Sequence, residues 1–244
     1  DRLARETGAR LVFLTPTIHS PTTATMGEAR RRAIVDVLRA RDLILVEDDV
    51  YGFLPVQRPA PIAALAPERV IYIASASKCL APGLRVAWMA PPSGLVARLG
   101  ETLHAMALAL PAFAGAVVTR WIADGTADRI VTAVRREMTA RQAMAGAAFR
   151  GLDWRTCEGA MHGLLTLPAH LPVQDLVDAA ARKGILLCSA AHFAVDPATA
   201  PNAVRVTVGC LADRVRLQHA LSTIATLAGG ALSDTADTLR RHIV

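Results

Sequence analysis

The chain has 244 residues, enough to bury a sizeable core in one large domain or in one domain and part of another. Hydrophobic residues make up 52% of it and aromatic residues only 4%, so Ala, Leu and Val dominate the expected core. The net charge of +6 suits a nucleic-acid partner, but the arginines are dispersed and no zinc-finger, helix-turn-helix or aromatic stacking pattern accompanies them. We therefore expect no direct DNA contact from this chain.

Membrane, export and metal signals are also missing from the sequence. The most apolar stretch, residues 103–118, contains His104 and Pro111 and is too short for a membrane span, so it predicts a buried helical hairpin. No secretory pattern opens the sequence. The four cysteines show neither metal-ligand nor disulfide spacing, which indicates reduced thiols, a cytoplasmic location and no metal site.

The first half of the sequence alternates between apolar runs and helical periodicity. Residues 27–41 predict a helix that carries Ala33, Val37 and Leu38 on one stripe and its arginines on the opposite face. Runs without polar alternation are typical of a parallel sheet covered on both faces, and their alternation with helices predicts an α/β architecture. The predicted strands are residues 11–14, 43–46, 70–74 and 86–89, and residues 93–149 are predicted to be mostly helical.

The composition changes near Gly151. Beyond it, short strands are predicted at residues 164–167, 185–188 and 203–208, and helices at 173–183 and 212–228. We therefore expect a large α/β domain with a mostly parallel sheet over residues 1–150 and a smaller α+β domain over residues 151–230. Residues 231–244 are polar and predict a tail.

Lysine is almost absent, and one of the two lysines, Lys78, lies among groups that suit a cofactor. It follows Ser75 and Ser77 and precedes Arg85. An amine can form a Schiff base with an aldehyde, while hydroxyls and a guanidinium can hold a phosphate. Pyridoxal phosphate carries both an aldehyde and a phosphate, so this segment indicates a site for it. The alternative is a surface lysine in a serine-rich turn.

A second group of polar residues follows the predicted strand at 43–46. Asp48 and Tyr51 stand beyond its carboxyl end, as Lys78 does beyond the next strand, so both groups can converge at one edge of the sheet. A carboxylate keeps the cofactor's pyridine nitrogen protonated, and a phenol can contact the ring hydroxyl. Alternatively, the carboxylates cap a turn and the tyrosine packs in a loop. The joint placement with Lys78 favours the cofactor.

In these residues the chain resembles the fold-type I pyridoxal phosphate enzymes of the aspartate aminotransferase superfamily. It is most similar to the aminotransferase-like domain of MocR-type regulators of the GntR family. The resemblance covers nearly the whole chain and rests on five segments in order, at residues 15–22, 47–52, 75–85, 159–164 and 201–206.

The resemblance implies a role for each matching residue. Lys78 is expected to form the Schiff base, Asp48 to pair with the pyridinium nitrogen and Tyr51 to contact the ring hydroxyl. The Asp-x-x-Tyr spacing selects Asp48 rather than Asp49. The cofactor phosphate is expected to bind Ser75, Ser77 and Arg85.

Two further residues are assigned by the resemblance alone. Arg205 is expected to bind the α-carboxylate of the substrate through two parallel hydrogen bonds. Ser20 stands where the family usually has an asparagine that hydrogen-bonds the cofactor ring hydroxyl, so it is expected at the cofactor with a shorter reach. His162 is expected to be a packed residue rather than a catalytic one.

The implied activity is transamination between an amino acid and a keto acid. One alternative is a pyridoxal phosphate-binding effector domain of a transcription regulator, with little turnover, and another is a fragment that binds nothing. A homodimer is expected, because the family's active sites form between subunits. The family's first strands, phosphate loop and stacking aromatic precede Asp1, so we expect a fragment of a longer protein, with any winged-helix DNA-binding domain upstream and an aggregation-prone sheet edge.

Overall fold

A computed structural model of the chain describes residues 1–107 and 111–229. The chain divides into two compact units. We call residues 1–19 and 24–136 the first unit, and residues 20–23 together with the described residues from 137 onward the second unit. The domain boundary at residues 150/151 stays a prediction, and the predicted tail at 231–244 lies outside the described residues. Residues 108–110 of the predicted helical hairpin also lie outside them. The prediction that this hairpin is buried is wrong for most of its described residues, since Leu103, Met106 and Phe113 are 42%, 82% and 83% exposed.

The first unit is built on a four-stranded sheet whose strands lie side by side in chain order. The strands are β1 (Leu11–Leu14), β2 (Ile44–Asp48), β3 (Val70–Ser75) and β4 (Ala87–Ala90). The helices are α1 (Arg2–Thr7), α2 (Glu28–Ala40), α3 (Ile62–Leu65), α4 (Ala76–Cys79), α5 (Val96–Ala107), α6 (Ala112–Ala123) and the first part of α7 (Thr126–Ala148). All four strands predicted in this half of the chain are therefore present.

The pairing directions in this sheet follow from the lengths of the connections. β1 pairs with β2 and β2 with β3 in parallel, whereas β3 and β4 are antiparallel. A parallel return needs a crossover of a dozen or more residues, usually a helix, and α2 supplies one between β1 and β2. The connection from Ser75 to Ala87 holds only α4 and a short 3-10 turn, so the chain reverses. The mostly parallel sheet predicted from the sequence is confirmed.

The helix predicted at residues 27–41 is present as α2, but its buried stripe differs from the prediction at two positions. Ala33, predicted on the stripe, is exposed. Arg31 shares the buried stripe with Val35 and Leu38 instead of lying on the opposite face. The stripe packs on a core that includes Leu45 of β2 and Ile62 of α3. An arginine is tolerated there because Glu47, also fully buried, lies beside it.

The second unit contains a four-stranded antiparallel sheet of β5 (Asp153–Arg155), β6 (His162–Thr166), β7 (Cys188–Ser189) and β8 (Ala203–Thr207), in the order β5-β6-β8-β7. Its helices are α8 (Val173–Arg182), α9 (Arg214–Ala228) and the rest of α7. The core joins Leu165 and Val204 of the sheet to Leu176 and Leu221 of the helices. β5 was not predicted from the sequence, and the strand predicted at 185–188 overlaps β7 only at Cys188.

No helix within residues 1–107 and 111–229 is both long enough and apolar enough to cross a membrane.

Candidate active site

Three of the predicted site residues lie at the carboxyl ends of β2 and β3 in the first unit. Asp48 is the last residue of β2, Tyr51 follows three residues later, and Lys78 lies on the single-turn helix α4 directly after β3. The Nζ atom of Lys78 is 5.8 Å from the centroid of the Tyr51 ring. The charge of Lys78 also reaches Asp48, since it acts to lower the pKa of that carboxyl. An amine, a phenol and a carboxylate therefore share one edge of the sheet.

Asp48 is half-buried, and its surroundings act on its pKa in opposite directions. Burial raises the pKa above its ordinary value, and the charge of Asp49 acts in the same direction. The backbone N–H of Val50 donates to Asp48 Oδ1 at 3.3 Å, and this bond and the Lys78 charge act to lower the pKa. A positively charged ring nitrogen beside Asp48 would favour its charged form.

Asp49, the neighbouring carboxylate, is fully buried and already has partners. Arg58 Nη1 and the Tyr72 hydroxyl both donate to Asp49 Oδ2, the latter at 2.8 Å. Burial and the Asp49 charge raise the pKa of Tyr72 to about 12, so the phenol keeps its proton and remains a donor. A side chain at Gly52 would overlap the Asp49 carboxylate, which explains a glycine directly after Tyr51. The two adjacent aspartates thus have different surroundings.

A second ion pair, between Arg31 of α2 and Glu47 of β2, lies next to the carboxyl end of β2. Arg31 and Glu47 are both 0% exposed, with 3.4 Å between Nη1 and Oε1. Glu47 also accepts the backbone N–H groups of Ile62 and Ala63 at 2.8 Å each. Burial raises the pKa of Glu47 and lowers that of Arg31. The remaining Arg31 donors reach the main-chain oxygens of Pro16, Met26 and Ala60 and the hydroxyl of Thr17.

The residues predicted to bind a phosphate surround the start of α4. Ser75 Oγ accepts the backbone N–H of Ser77 at 3.1 Å, so Ser75 caps this short helix. Ser77 is partly exposed. Arg85 is exposed, and its guanidinium donates to the main-chain oxygen of Pro82 at 3.4 Å. Its backbone is left-handed, with φ 54°, at the end of the turn that follows α4.

The other predicted residues, Arg205 and Ser20, belong to the second unit. Arg205 lies in the middle of β8, and its Nη1 donates to Ser20 Oγ at 3.0 Å. Its Cζ atom lies 4.7 Å from the centroid of the Phe193 ring. His162, expected to be a packed residue, is buried in β6. The structure therefore brings Ser20 together with Arg205 in one unit, and Lys78 together with Asp48 and Tyr51 in the other.

Sequence reasoning missed the residues that support these side chains. Three consecutive acids, Glu47 to Asp49, end an otherwise apolar strand, and buried carboxylates require cations or hydrogen-bond donors. The run of three acids could therefore have predicted that cations or hydrogen-bond donors lie beside these carboxylates. Nothing local identifies the partners, because Arg31, Arg58 and Tyr72 each lie at least nine residues away along the chain.

The chain is similar to known proteins over most of its length. A family model for aminotransferases of class I and II matches residues 1–224. The uncharacterized HTH-type transcriptional regulator YdeF of Bacillus subtilis is 30% identical over 200 residues, covering 81% of this chain and 43% of that protein. Aromatic-amino-acid aminotransferase 1 of Thermococcus litoralis is 30% identical over 187 residues, covering 72% of this chain and 44% of that protein.

Solved structures agree with the family model. The structure of Pyrococcus horikoshii kynurenine aminotransferase, solved in complex with PMP, matches with a TM-score of 0.84 and 25% identity. The match covers 93% of this chain and 58% of that one. The chain spans less than half the length of the two curated relatives named above.

Proposed function

Because the chain belongs to the class I and II aminotransferase family, we propose that it binds pyridoxal phosphate through Lys78 and exchanges it with an amino acid or amine. The observation that carries this proposal is the placement of Lys78, Asp48 and Tyr51 at the carboxyl ends of β2 and β3. Ligands of open α/β sheets bind at this edge. The fold family implies the cofactor, and the exchange of an amino group is the activity expected of it.

The side chains present fit the cofactor's chemical groups. When bound, pyridoxal phosphate supplies an aldehyde for the amine and a ring that withdraws electrons from the substrate carbon. Lys78 supplies the amine, and once released it can carry a proton. Asp48 would keep the ring nitrogen protonated, a role that requires a charged carboxylate, and the Lys78 charge and the Val50 N–H both favour that charged form. Tyr51 would contact the ring hydroxyl, with Ser20 as the second candidate for that contact.

The phosphate and the substrate carboxylate require separate groups. Ser75, Ser77 and Arg85 would hold the phosphate, with Ser75 acting mainly as the cap that orients Ser77. Arg205 would bind the α-carboxylate of an amino or keto acid. We also propose that the protein forms a homodimer, as its family implies, and that it contacts DNA only through a domain outside this chain.

One finding favours a second candidate function, a cofactor-binding effector domain of a transcription regulator. Four of the similar curated proteins, three from Bacillus subtilis and one from Escherichia coli, are named HTH-type transcriptional regulators. In that role, exchange of the Lys78-bound cofactor with an amino acid would change the conformation of a longer protein, with slow turnover or none. The residues at Lys78, Asp48 and Tyr51 serve both candidates equally.

The test is to add pyridoxal phosphate to the chain, fix the adduct with borohydride and map the modified peptide by mass spectrometry. We expect a visible absorption band and modification at Lys78. Lys183→Ala is the matched control, because it removes the other lysine, whereas Lys78→Ala should abolish both band and adduct. An adduct on Lys183 or the amino terminus, or an unchanged band in Lys78→Ala, would contradict the proposal.

A second measurement separates the two candidates. Amino acids are added to the cofactor-loaded chain together with an excess of a second keto acid, 2-oxoglutarate, that can take up the amino group, and release of the keto acid of the donor is followed over many equivalents of protein. Repeated release indicates an aminotransferase. A spectral change that stops after one equivalent indicates an effector domain.

A further inference from the structure

The loop that carries Tyr51 is folded into two overlapping turns. The backbone N–H of Gly52 donates to the main-chain oxygen of Asp49 at 2.8 Å, and the N–H of Leu54 donates to that of Tyr51 at 2.9 Å. Leu54 is fully buried, whereas Phe53 beside it is 38% exposed. Because the two turns share Tyr51 and Gly52, residues 49–54 form one hydrogen-bonded segment, and a displacement of its end is transmitted to Tyr51.

A guanidinium from a helix distant in the sequence holds the end of this segment. Arg135 lies on the part of α7 that belongs to the first unit. It donates through Nη2 to the main-chain oxygen of Phe53 at 2.8 Å and through Nε to that of Leu54 at 3.0 Å. Nη2 also reaches the oxygen of Pro55 at 3.5 Å. One side chain thus contacts three consecutive carbonyl groups that lie 80 to 82 positions earlier in the chain.

The chemistry of arginine suits this arrangement. Carbonyl groups of a loop are not paired by a sheet, so they need other donors when they lose contact with water. A guanidinium presents five N–H groups in a fixed planar fork and can bind several neighbouring oxygens at once, whereas a lysine presents a single nitrogen. Hydrogen bonds from a charged donor are also the stronger ones. These three contacts therefore fix the shape of the main chain.

The beginning of the loop is held separately. Asp49, which is fully buried, accepts from Arg58 and from the hydroxyl of Tyr72. Tyr51 lies between this residue and the carbonyl groups that Arg135 binds, so its backbone is fixed from both sides. The distance of 5.8 Å from Lys78 Nζ to the centroid of the Tyr51 ring depends on this double attachment.

We propose that Arg135 is a positioning residue for Tyr51, because by binding the carbonyl groups of residues 53–55 it holds the phenol where it contacts the ring hydroxyl of the cofactor. Arg135 acts through the main chain, without touching the cofactor or the substrate. The inference rests on the proposed function, since the placement of the phenol has this consequence only where the cofactor binds beside it.

The first measurement uses the chain loaded with pyridoxal phosphate and requires no turnover. The absorption band of the Lys78 adduct is followed as a function of pH. A phenol that donates to the ring hydroxyl shifts the midpoint of this profile, because a hydrogen bond to one protonation state favours that state. Tyr51→Phe gives the reference shift, and Arg135→Met should shift the midpoint in the same direction. Arg136→Met, which removes the exposed arginine next to Arg135, is the matched control and should leave it unchanged.

A double variant separates positioning from a direct effect of charge. If Arg135 acts through Tyr51, Arg135→Met should add no further shift in the Tyr51→Phe chain, whereas a direct effect of its charge on the adduct would add to the reference shift. An unchanged midpoint in Arg135→Met, or an additive shift in the double variant, would overturn the proposal. If Arg135→Met does not fold, Arg135→Lys takes its place and should give a smaller shift in the same direction.

Failure of the proposed function is recognised separately. If the wild-type chain forms no adduct at Lys78, the cofactor proposal fails, and Arg135 is then tested in the cofactor-free chain by amide hydrogen exchange of residues 49–58. Exchange at Gly52 and Leu54 should be about tenfold faster in Arg135→Met, the effect of losing one hydrogen bond from a charged group, and unchanged in Arg136→Met. Faster exchange supports the role of Arg135 in holding this loop, whereas equal exchange in wild type and Arg135→Met overturns it.

Discussion

Asp48 and Asp49 show how adjacent residues of one type serve different purposes. The side chain of Asp48 is half-buried beside Lys78 and accepts only a local backbone N–H, whereas Asp49 is fully buried and accepts from Arg58 and Tyr72. Asp48 is the last residue of β2 and Asp49 directly follows it, and the two carboxylates have different neighbours. We propose that Asp48 contacts the cofactor ring, whereas Asp49 stabilises the loop that carries Tyr51.

This difference predicts opposite effects for two matched substitutions. Asp48→Asn should weaken the affinity for pyridoxal phosphate and change the free energy of unfolding little, since the amide oxygen can still accept from Val50. Asp49→Asn should lower the free energy of unfolding by about 2 kcal/mol, because it weakens a buried hydrogen bond from a charged group. Cofactor titration and urea unfolding of both variants check this. The reverse pattern would show that the two roles are exchanged.

The buried Arg31–Glu47 pair leads to a second prediction. Arg31→Met should lower the free energy of unfolding by about 3–5 kcal/mol, because it leaves Glu47 buried without its cation. The neighbour on the same helix, Arg32, forms an exposed pair with Glu28, so Arg32→Met is a matched control that should change stability little. Urea unfolding measures both. Equal effects of the two substitutions would contradict the role given to the buried pair.

At the level of elements, α7 is linked to the loop that follows β8. Arg141, buried on α7, donates to the main-chain oxygens of Val208 and Ala212 at 2.8 and 3.1 Å, and also to that of Leu211. Glu137, one turn earlier, accepts from both Arg141 and Arg214. These contacts hold the chain directly after the strand that carries Arg205.

The same contacts predict a pH dependence of stability. Hydrogen bonds from Arg214 and Arg141 lower the pKa of Glu137 from 4.5 to about 2. A depressed folded-state pKa means that the contribution is fully present above pH 4.5 and is lost as the pH falls toward 2. Wild type should therefore lose more stability over this window than Glu137→Gln. Urea unfolding at several pH values checks this, and parallel profiles for the two proteins would exclude the effect.

At the scale of the whole molecule, the two outer strands of the first sheet expose apolar side chains. Leu11 and Phe13 of β1 are 59% and 61% exposed, and Trp88 and Met89 of β4 are 38% and 42% exposed. In the part of the chain that the structure describes, each of these strands is paired on one side only. Unpaired strands with apolar side chains are templates for association with another chain.

We therefore expect the isolated chain to self-associate through these strands. Phe13→Lys and Trp88→Lys should raise the protein concentration at which light scattering increases, because a charged side chain on an edge strand opposes edge-to-edge pairing. Val195→Lys is the control, since Val195 is fully exposed and lies outside both sheets. The same shift in all three variants would indicate a general effect of charge rather than a role for the sheet edges.

The sequence by itself determined the strands of the first unit, the long helices and the residues Lys78, Asp48 and Tyr51 as a group. These features are local: an apolar run makes a strand, and the polar residues that end neighbouring parallel strands meet at one edge of the sheet. β5 was missed because three residues, one apolar between two charged, carry almost no periodic signal. β4 runs antiparallel to β3 because residues 76–86, which connect the two strands, are too few for a helical crossover.

Only the tertiary structure decided which charges are buried and what each one contacts. Arg31 meets Glu47 across 16 positions, Tyr72 meets Asp49 across 23, and Arg205 meets Ser20 across 185. Among 27 basic residues, the sequence cannot distinguish an arginine that will be buried from one that stays solvated. The distinction arises when packing removes water from both partners, because only then does a charge require a particular partner rather than solvent.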